Sequence, residues 1–534
     1  MPPGDTNHLY YGDNLTILRE HIPDESIDLI YLDPPFNSQA TYNVLFRAPT
    51  GERSQAQIEA FEDTWEWNDR AERAFDEVIQ SGNTDAAEML RAMRAFLKEN
   101  AVMAYLTMMA IRLIELHRVL KSTGSMYLHC DPTASHYLKF LIDAVFGQDR
   151  FRNEIIWQRA TARGHAFTRY PATHDTLFFY GKGTSGIWHT PYLPHREEYI
   201  KSHYSNIEEG TGRHYTLGDC LNPNPNRPNL TYEWHGHVRV WRWTKERMQQ
   251  LHTEGRLVYT TSGLPRYKRY LDEMSGTPVT SVWTDIPPIN SQAQERLGYP
   301  TQKPLSLLER IIQASSEEGN TVLDPFCGCG TAIHAAQKLG RQWIGIDVTH
   351  LAISLIEKRL NDAFPGIQYA VHGTPKDLAG AKALADRDKY QFQWWAVSLV
   401  NAMPYGGKKK GADSGIDGLI YFKPDGRQTE KAIVSVKGGG TVSVPMIRDL
   451  GHVVNREQAK IGVFLTLATP TNPMQVEATK AGFYETAFHG KVPKLQILTI
   501  AELFAGKKPQ IPFIDPTTFR RARQENTTQQ KQLF

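Results

Sequence analysis

Residues Val322-Leu-Asp-Pro-Phe-Cys-Gly-Cys-Gly-Thr331 decide the fold of this chain. A short apolar run ends at Asp324, a glycine-rich turn follows, and residues at helical spacing begin at Thr331. Glycines let the backbone adopt positive φ and approach a ligand closely. The next apolar run ends at Asp347, where an acid in a doubly wound sheet hydrogen-bonds ribose hydroxyls. The stretch therefore predicts a strand, a glycine-rich turn, a helix and a second strand, but the turn lacks the Gly-x-Gly-x-x-Gly spacing of dinucleotide-binding folds.

Strand and helix patterns alternate outward from this stretch. The N-terminal segment is interpreted as a strand, a turn and a second strand, and residues 56–100 have helical spacing. The alternation predicts an α/β fold with a doubly wound, mostly parallel sheet and helices on both faces. The other predicted strands are Asp28–Leu32, Ser125–His129 and Asp175–Tyr180, and the other helices are Met103–Leu120, Ala134–Phe146, Leu305–Ala314 and Leu351–Leu360.

An inserted domain is predicted for residues 185–295, because Pro, Asn, His, Trp and Arg are frequent there and periodicity is weak. Its basic residues are interleaved with aromatic residues, a combination that can neutralise phosphates and stack on exposed bases. An ordinary surface over core aromatics explains the composition equally well. Four arginines are candidates for contacts with guanine or phosphate: Arg239, Arg242, Arg266 and Arg269.

The length of 534 residues exceeds what one hydrophobic core usually supports, so several domains are expected. An Ala-, Lys- and Asp-rich stretch at 370–385 is interpreted as a linker. The predicted division is a catalytic part at 1–184, the insert at 185–295, a nucleotide-binding part at 296–372, a third domain at 386–515 and a disordered tail at 516–534.

The bulk composition, 40% hydrophobic and 22% charged with a net charge of +2, is that of an ordinary globular protein. No apolar run is long enough to span a bilayer, and the N-terminus lacks the pattern of a signal peptide. The four cysteines are too few for a disulfide framework, and Cys327 and Cys329 are interpreted as turn residues rather than zinc ligands. These features predict a cytoplasmic protein without a membrane partner.

Asp33-Pro34-Pro35-Phe36 follows a buried-looking strand and has a chemical rationale beyond a stiff turn. An exocyclic base amine is a poor nucleophile because its lone pair is delocalised into the ring. A carboxylate and a main-chain carbonyl that each accept one N–H hydrogen bond localise that lone pair. Pro34 fixes the backbone so that its carbonyl projects outward, and Phe36 offers a face on which a flipped base can stack.

The Asp-Pro-Pro-Phe and Asp-x-Phe-x-Gly-x-Gly motifs resemble those of the β-type DNA amino-methyltransferases. The resemblance implies that S-adenosylmethionine is the cofactor and double-stranded DNA the partner. It places Asp324 near the methionine part of the cofactor, gives access to it at Gly328 and Gly330, and makes Asp347 its ribose ligand. The resemblance also counts Phe326, Thr331, Lys303 and Pro304 as cofactor-binding, and Asp33, Pro34, Pro35 and Phe36 as catalytic.

The motif order also resembles the β-type arrangement, in which the catalytic motif precedes a variable region and the cofactor motif. That order implies a target-recognition domain at 185–295. Because β-type enzymes are often dimers, it also implies a homodimer. Asp at position 33 favours N6 of adenine, since N4-cytosine enzymes more often carry Ser there. A non-catalytic DNA-binding protein would explain the basic insert but not the two intact motifs.

The third domain resembles the Mrr-like restriction endonucleases, in which an Asp and a (Glu/Gln)-x-Lys triplet bind Mg²⁺ and activate water. Asp417 and Lys437 match this pattern as a candidate metal site, but Ser435 replaces the Glu or Gln. A serine hydroxyl is a weaker Mg²⁺ ligand than a carboxylate. We therefore expect a nuclease-derived DNA-binding module, with a bifunctional restriction-modification enzyme that cuts DNA as the alternative.

Overall fold

The computed structural model describes residues 7–35, 41–47, 53–62, 66–160, 170–290, 293, 295–297, 299, 301–405, 415–425, 428–486, 490–512 and 525. These residues form two compact units, the first from 1–189 with 281–534 and the second from 190–280. The elements that precede the second unit are β1 (Asn7–Tyr11), α1 (Asn14–His21), β2 (Ile27–Leu32), β3 (Thr41–Arg47), β4 (Arg53–Glu62), α2 (Asp69–Gln80), α3 (Thr84–Leu97), α4 (Ala101–Val119), β5 (Leu120–Cys130), α5 (Ser135–Phe146), β6 (Phe151–Gln158) and β7 (His174–Gly181).

The chain returns to the first unit after residue 280 and completes its main sheet. The elements there are β16 (Val282–Trp283), α8 (Leu305–Ser315), β17 (Thr321–Asp324), α9 (Thr331–Lys338), β18 (Gln342–Asp347), α10 (His350–Ala363) and β19 (Tyr369–His372). The nine strands lie in the order β16-β6-β7-β5-β2-β17-β18-β1-β19, and only the pairs β6–β7 and β5–β7 are antiparallel. The predicted doubly wound, mostly parallel sheet is confirmed.

The central pair of this sheet joins two segments that are far apart in the sequence. Every residue of β2 and of β17 is buried, as expected for parallel strands covered on both faces. The register pairs Val322 with Leu29 and Leu323 with Ile30. Strand β2 and strand β17 therefore end side by side, immediately before Asp33 and at Asp324.

Two N-terminal predictions were wrong. Between the first two strands the chain forms helix α1 rather than a turn, because Asp13 caps the helix and Ile17 and Leu18 are buried. In the region predicted as helical, β4 pairs with β3 before α2 begins. The strand was not recognised in the sequence because this region is rich in charged residues and has few residues that favour strands.

The second unit was predicted to be irregular but is a small domain with regular structure. Its core contains Trp234, Trp241, Met248 and Leu251. Its strands are too short for a clear alternation, which explains why the sequence pattern was weak. The elements are β8 (Tyr192–Leu193), α6 (Glu197–His203), β9 (Asn206–Ile207), β10 (His214–Asp219), β11 (Thr231–Trp234), β12 (His237–Val240), α7 (Lys245–Thr253), β13 (Leu257–Tyr259), β14 (Pro265–Tyr270) and β15 (Thr277–Pro278). Four of these strands form a sheet in the order β13-β14-β10-β9.

The predicted linker at 370–385 is also wrong. Strand β19 pairs with β1 at the edge of the main sheet. Asp377 then caps the N-terminus of the next helix, where its side chain accepts a hydrogen bond from Gly380 N. The elements of the C-terminal block that follows are α11 (Leu378–Arg387), α12 (Lys389–Leu399), β20 (Met403–Pro404), β21 (Gly418–Phe422), β22 (Glu430–Lys437), α13 (Val444–Arg456), β23 (Ile461–Thr466), α14 (Asn472–Lys480), β24 (Phe483–Thr486), β25 (Gly490–Pro493), β26 (Leu495–Thr499) and α15 (Ile500–Phe504). Five of its strands form a second sheet in the order β20-β21-β22-β23-β26.

The C-terminal block shares its core with the nucleotide-binding part of the first unit. One hydrophobic cluster contains Cys329, Leu351 and Leu355 as well as Trp394 and Ile433. Polar contacts cross the same boundary, since Gln391 Oε1 accepts from His350 N at 3.2 Å. The sequence predicted separate domains at 296–372 and 386–515, whereas the described residues place both in one compact unit. The predicted tail at 516–534 lies outside the described residues except for Glu525.

In the part of the chain that the structure describes, no helix combines the length and the apolar composition that crossing a membrane requires.

Replacing Trp394 with Ala should weaken the nucleotide-binding part as well as the C-terminal block. Trp394 is 6% exposed, and removal of such a side chain costs about 3–5 kcal/mol of unfolding free energy. Hydrogen–deuterium exchange should become faster in α10 because Leu351 and Leu355 lose their packing. Phe483→Ala, at a side chain that is 52% exposed, is the control. Unchanged exchange in α10 would contradict a shared core.

Replacing Gly330 with Ala should strain the turn between β17 and α9. The glycine has φ +74°, and an added Cβ would lie 2.7 Å from Ile356 Cγ1. Left-handed backbone costs an L-residue about 1–2 kcal/mol, and the clash adds about 1–3 kcal/mol. Gly366→Ala is the matched control because φ is +83° and the space around it is open. Equal losses in urea unfolding would show that packing at Gly330 is unimportant.

Candidate active site

Four parallel strands of the main sheet end side by side and bring together the polar residues of the site. Strand β1 leads to Asp13 and β2 to Asp33, while β17 and β18 end at Asp324 and Asp347. Parallel strands align their carboxyl ends, and open α/β sheets bind ligands in the crevice at that edge. These four acids therefore surround one crevice.

The crevice is a cavity of about 800 Å³, a volume within the usual range for small-molecule sites. Gly330 and Pro304 are buried behind its wall, Gly330 against Ile356 and Pro304 at the start of α8. Phe36 lies outside the described residues. The other residues predicted for the site line the cavity: Asp33, Pro34, Pro35, Lys303, Asp324, Phe326, Gly328, Thr331 and Asp347.

Where β2 ends, an ion pair between Lys303 and Asp33 lines the cavity. Lys303 Nζ lies 2.5 Å from Asp33 Oδ2, and the lysine residue is 8% exposed. The second carboxylate oxygen, Asp33 Oδ1, is buried and has no hydrogen-bond partner among the residues that the structure describes. The sequence motif placed Lys303 with the cofactor, whereas its ammonium group contacts the predicted catalytic carboxylate.

The glycine-rich turn closes the other end of the cavity. Gly328 has φ +50°, and its N–H donates to Asp347 Oδ2 at 2.9 Å. A Cβ at this position would lie 3.3 Å from the ring of Tyr299, so the absent side chain keeps space open beside the cavity. The same acid accepts from Thr349 N and Oγ1, both at 2.8 Å, and is thereby fixed at the end of β18.

Burial makes two acids of the cavity, Asp347 and Asp324, easier to protonate. It raises the pKa of Asp347 to about 6, against the hydrogen bonds from Thr349 and Gly328 that lower it. It also raises the pKa of Asp324 well above its usual range, and the nearby charge of Asp33 acts in the same direction. A cationic ligand group beside Asp324 would oppose this rise.

Arg359 supports the turn from behind and was not predicted from the sequence. This residue of α10 is 3% exposed, and its Nη1 donates to Cys329 O and to Thr331 Oγ1, each at 3.1 Å. Its Nε donates to His334 Nδ1 at 3.2 Å, and burial lowers the pKa of the guanidinium. Sequence pattern gave no signal, because a helical Arg is usually a surface residue.

Asn14 and Arg112 form a second support that the sequence did not reveal. Asn14 Nδ2 donates to Pro325 O at 2.8 Å, which ties the start of α1 to the turn after β17. Arg112 of α4 donates to Asn14 Oδ1 at 2.6 Å and to Asp13 Oδ1 at 2.9 Å. These contacts fix the cavity wall through groups from three separate elements.

A chain of buried polar side chains begins at Tyr31, two residues before Asp33. The hydroxyl of Tyr31 is 2.9 Å from His129 Nδ1, and His129 Nε2 is 3.1 Å from Asp175 Oδ2. Arg159 Nε lies 2.8 Å from the other oxygen of Asp175. Burial raises the pKa of the Asp175 carboxyl, but the hydrogen bond from His129 and the charges of His129, Lys303 and Arg159 outweigh it, and the net pKa is lowered.

The candidate metal site of the C-terminal block brings Asp417 beside β22. Asp417 Oδ1 accepts from Gln393 Nε2 at 3.0 Å, and Oδ2 accepts from Val436 N at 2.6 Å. Ser435 is 6% exposed, and Lys437 ends the strand. Within the described ranges no three Asp, Glu, His or Cys side chains form a cluster suited to a metal ion. One hydrogen-bonded carboxylate beside an amide and a hydroxyl does not fit a Mg²⁺ site.

Two sequence families match this architecture. Residues 27–358 match the sequence model of the N6/N4 DNA methylases, which covers more than half of the chain. Residues 384–485 match the catalytic region of the Mrr-type restriction endonucleases.

Curated relatives support the first match. A type II methyltransferase of Enterobacter cloacae, M.EcaI, is 30% identical over 260 residues, which are 48% of this chain and 57% of the relative. The Mod subunit of the type III restriction-modification enzyme StyLTI from Salmonella typhimurium is 25% identical over 62% of this chain and 50% of its own length. The chain thus spans about half the length of these two relatives.

A third relative matches over most of its own length. The DNA adenine methyltransferase YhdJ of Escherichia coli is 24% identical over 70% of this chain and 87% of the relative. The two strand-end motifs, Asp33-Pro34-Pro35 and the turn from Asp324 to Thr331, lie within the matched family region, on either side of one cavity. The chain therefore belongs to the N6/N4 family of DNA methylases, with a C-terminal block that matches the Mrr-type restriction endonucleases.

Proposed function

We propose that the protein transfers a methyl group from S-adenosylmethionine to N6 of adenine in double-stranded DNA. The observation that carries this proposal is the buried oxygen Asp33 Oδ1, which has no partner among the described residues and belongs to a residue that lines the same cavity as the glycine-rich turn. A buried polar atom without a partner costs free energy unless a ligand satisfies it. A hydrogen-bond donor of the substrate would do so.

The turn side of the cavity fits S-adenosylmethionine. Asp347 offers carboxylate oxygens to ribose hydroxyls, and Gly328 leaves room for close approach. Asp324, whose pKa burial raises, would regain its charge beside the ammonium group of the methionine part. When bound, the cofactor supplies an electrophilic methyl group on its sulfonium centre.

The base side of the cavity fits an exocyclic amine. Asp33 Oδ1 accepts one N–H of the amine, and the carbonyl of Pro34 accepts the other. These two acceptors localise the nitrogen lone pair and fix its direction, and such positioning contributes much of an enzyme's rate. The same oxygen, Asp33 Oδ1, can then accept the proton that the methylated amine loses.

The choice of adenine over cytosine depends on the carboxylate at position 33. Aspartate at this position favours N6 of adenine, and the Escherichia coli relative is an adenine methyltransferase. N4 of cytosine is the alternative target, because its amine would present the same two N–H donors. Methylation of either base requires that it leave the DNA stack.

The second unit, 190–280, is proposed as the target-recognition domain. Among its described residues, the four arginines singled out from the sequence form no ion pair with an acid. Their neighbours do: Arg213 pairs with Asp272 and Glu273, Arg256 with Glu273, and Lys268 with Glu208. The arginines without an acid partner among the described residues, whose guanidinium groups could contact phosphates or guanine edges, are Arg239, Arg242, Arg266 and Arg269.

The C-terminal block is proposed as a nuclease-derived DNA-binding module that does not cut. The poor fit of Asp417, Gln393 and Ser435 to Mg²⁺ supports this proposal. Its contact with α10 gives it a structural role in the methyltransferase as well. A homodimer and a cytoplasmic location stay predictions.

Asp33→Ala should abolish methylation. Purified protein is incubated with methyl-labelled S-adenosylmethionine and unmethylated genomic DNA, with and without Mg²⁺, and the DNA is digested to nucleosides. We expect label in N6-methyladenine, and a loss of at least about 100-fold in the variant because its amine acceptor is gone. A thermal unfolding curve checks that the variant is folded.

Three other results of this experiment would change the proposed function. Label in N4-methylcytosine would keep the mechanism and overturn the choice of base. Absence of label with folded wild-type protein would refute the proposed function. DNA fragments that appear only with Mg²⁺, and disappear in Asp417→Ala, would make the C-terminal block a nuclease.

The double variant Arg242→Ala/Arg266→Ala should bind DNA more weakly and with a lower dependence on salt. If both side chains contact phosphates, the slope of log affinity against log salt falls by about 2, one for each contact. Arg213→Ala is the control, since acids already neutralise Arg213. Fluorescence anisotropy with a labelled duplex measures both. An unchanged slope and affinity in the double variant would exclude these arginines from the interface.

A further inference from the structure

Lys303 occupies a position in the site that its sequence motif did not indicate. Its ammonium group contacts Asp33 Oδ2 at 2.5 Å, and the two side chains are 9% and 15% exposed. A charged pair this well shielded from water interacts more strongly than a surface pair. The lysine follows β16 and immediately precedes α8, so the fold brings it to β2 from a distant part of the chain.

Lys303 also affects the other buried acids of the cavity. Its charge acts to lower the pKa of both Asp175 and Asp324, against the burial that raises the pKa of each. Asp33 itself lies close enough to Asp324 to raise the pKa of that carboxyl. Titratable groups that face Asp33 from the packed elements are Lys303, Asp324, Tyr31, Tyr299 and Cys130. Lys303 is the cation within that set.

The pairing divides the two oxygens of Asp33 between different tasks. Oδ2 is held by Lys303, so the carboxylate cannot rotate freely, and Oδ1 is buried without a partner among the described residues. Asp33 itself lines the cavity. A free carboxylate could turn either oxygen toward an amine, whereas the pair with Lys303 leaves that task to Oδ1.

We propose that Lys303 is a positioning residue that holds the Asp33 carboxylate in one orientation, with Oδ2 engaged and Oδ1 left as an acceptor for the target amine. This inference rests on the proposed methyltransferase function and names how its acceptor is prepared. Lys303 does not donate to the cofactor in this scheme. It acts on the reaction through Asp33, so its loss should affect turnover rather than cofactor affinity.

Without Lys303, the ammonium group would no longer hold either oxygen of Asp33. The carboxylate could then rotate, and the acceptor for the amine would occupy several positions instead of one. Because a displacement of about 1 Å can cost about 100-fold in rate, loss of this orientation should lower turnover.

The test compares Lys303→Met, Lys303→Arg and Lys121→Met. Methionine keeps the length and apolar stem of lysine without its charge, whereas arginine keeps the charge in a different shape. Lys121→Met is the matched control. Lys121 Nζ lies 2.8 Å from Asp28 at the other end of the same strand, so this variant removes a comparable Lys–Asp pair away from the cavity.

Three measurements are made on each full-length variant: kcat with labelled methyl groups, the Kd of S-adenosylmethionine by equilibrium dialysis, and thermal unfolding. For Lys303→Met we expect kcat to fall at least about 30-fold, because Asp33 is no longer held in one orientation. The cofactor Kd should change by less than about 3-fold, because cofactor binding is not what is removed. Lys303→Arg keeps a cation that can reach Oδ2 and should recover part of the lost kcat.

Several outcomes would overturn the inference. A large rise in the cofactor Kd with unchanged kcat would make Lys303 a cofactor ligand, as its motif suggested. An unchanged kcat in folded Lys303→Met, or an equal loss of kcat in Lys121→Met, would leave Lys303 only a structural role. If Lys303→Met does not fold, Lys303→Arg decides: its kcat must lie below that of the wild type while its cofactor Kd stays within about 3-fold. Failure of the wild type to methylate DNA refutes the proposed function itself and is seen in the first measurement.

Discussion

The parallel pairing of β2 with β17 is the constraint on which the rest of the structure depends. These two fully buried strands come from opposite ends of the methylase region, and their register is fixed by Leu29 and Ile30 against Val322 and Leu323. Because the side-chain direction alternates along a strand, a shift by one residue would exchange the side chains on the two buried faces. The pairing therefore fixes the ends of both strands, and with them the positions of Asp33 and Asp324.

The site concentrates negative charge on carboxylates that line one cavity, and Asp324 is almost fully buried there. Such an arrangement is unfavourable unless cations or bound ligands compensate it, since desolvation penalises ionised carboxyls. The protein supplies part of that compensation through Lys303 and Arg159, and the remainder falls to ligands. Asp324 illustrates the second case: its pKa is raised well above the usual range and would fall beside a ligand ammonium group. Ligand binding and the electrostatic balance of the cavity are thus linked.

The C-terminal block shows how a domain that matches one family can become part of another enzyme. Its helix α12 packs on α10, whose residue Arg359 holds the carbonyl of Cys329 in the glycine-rich turn. The hydrophobic cluster at this boundary contains residues of both parts, so the methylase core would be exposed without the block. Among the described residues, Gln393 Nε2 and Val436 N donate to Asp417. Packing against α10 is what this block contributes to the described structure.

The sequence by itself determined the fold class, the order of the motifs and most residues that line the cavity, because strand patterns, glycine turns and Asp-Pro-Pro depend on local chemistry. It failed where local signals are weak or the cause is distant. Helix α1, the short strands of the second unit and strand β19 all depend on partners elsewhere in the chain. The contact of Lys303 with Asp33, and the support from Arg359 and Arg112, came only from the tertiary structure. Long side chains reach partners that no spacing rule along the sequence can specify.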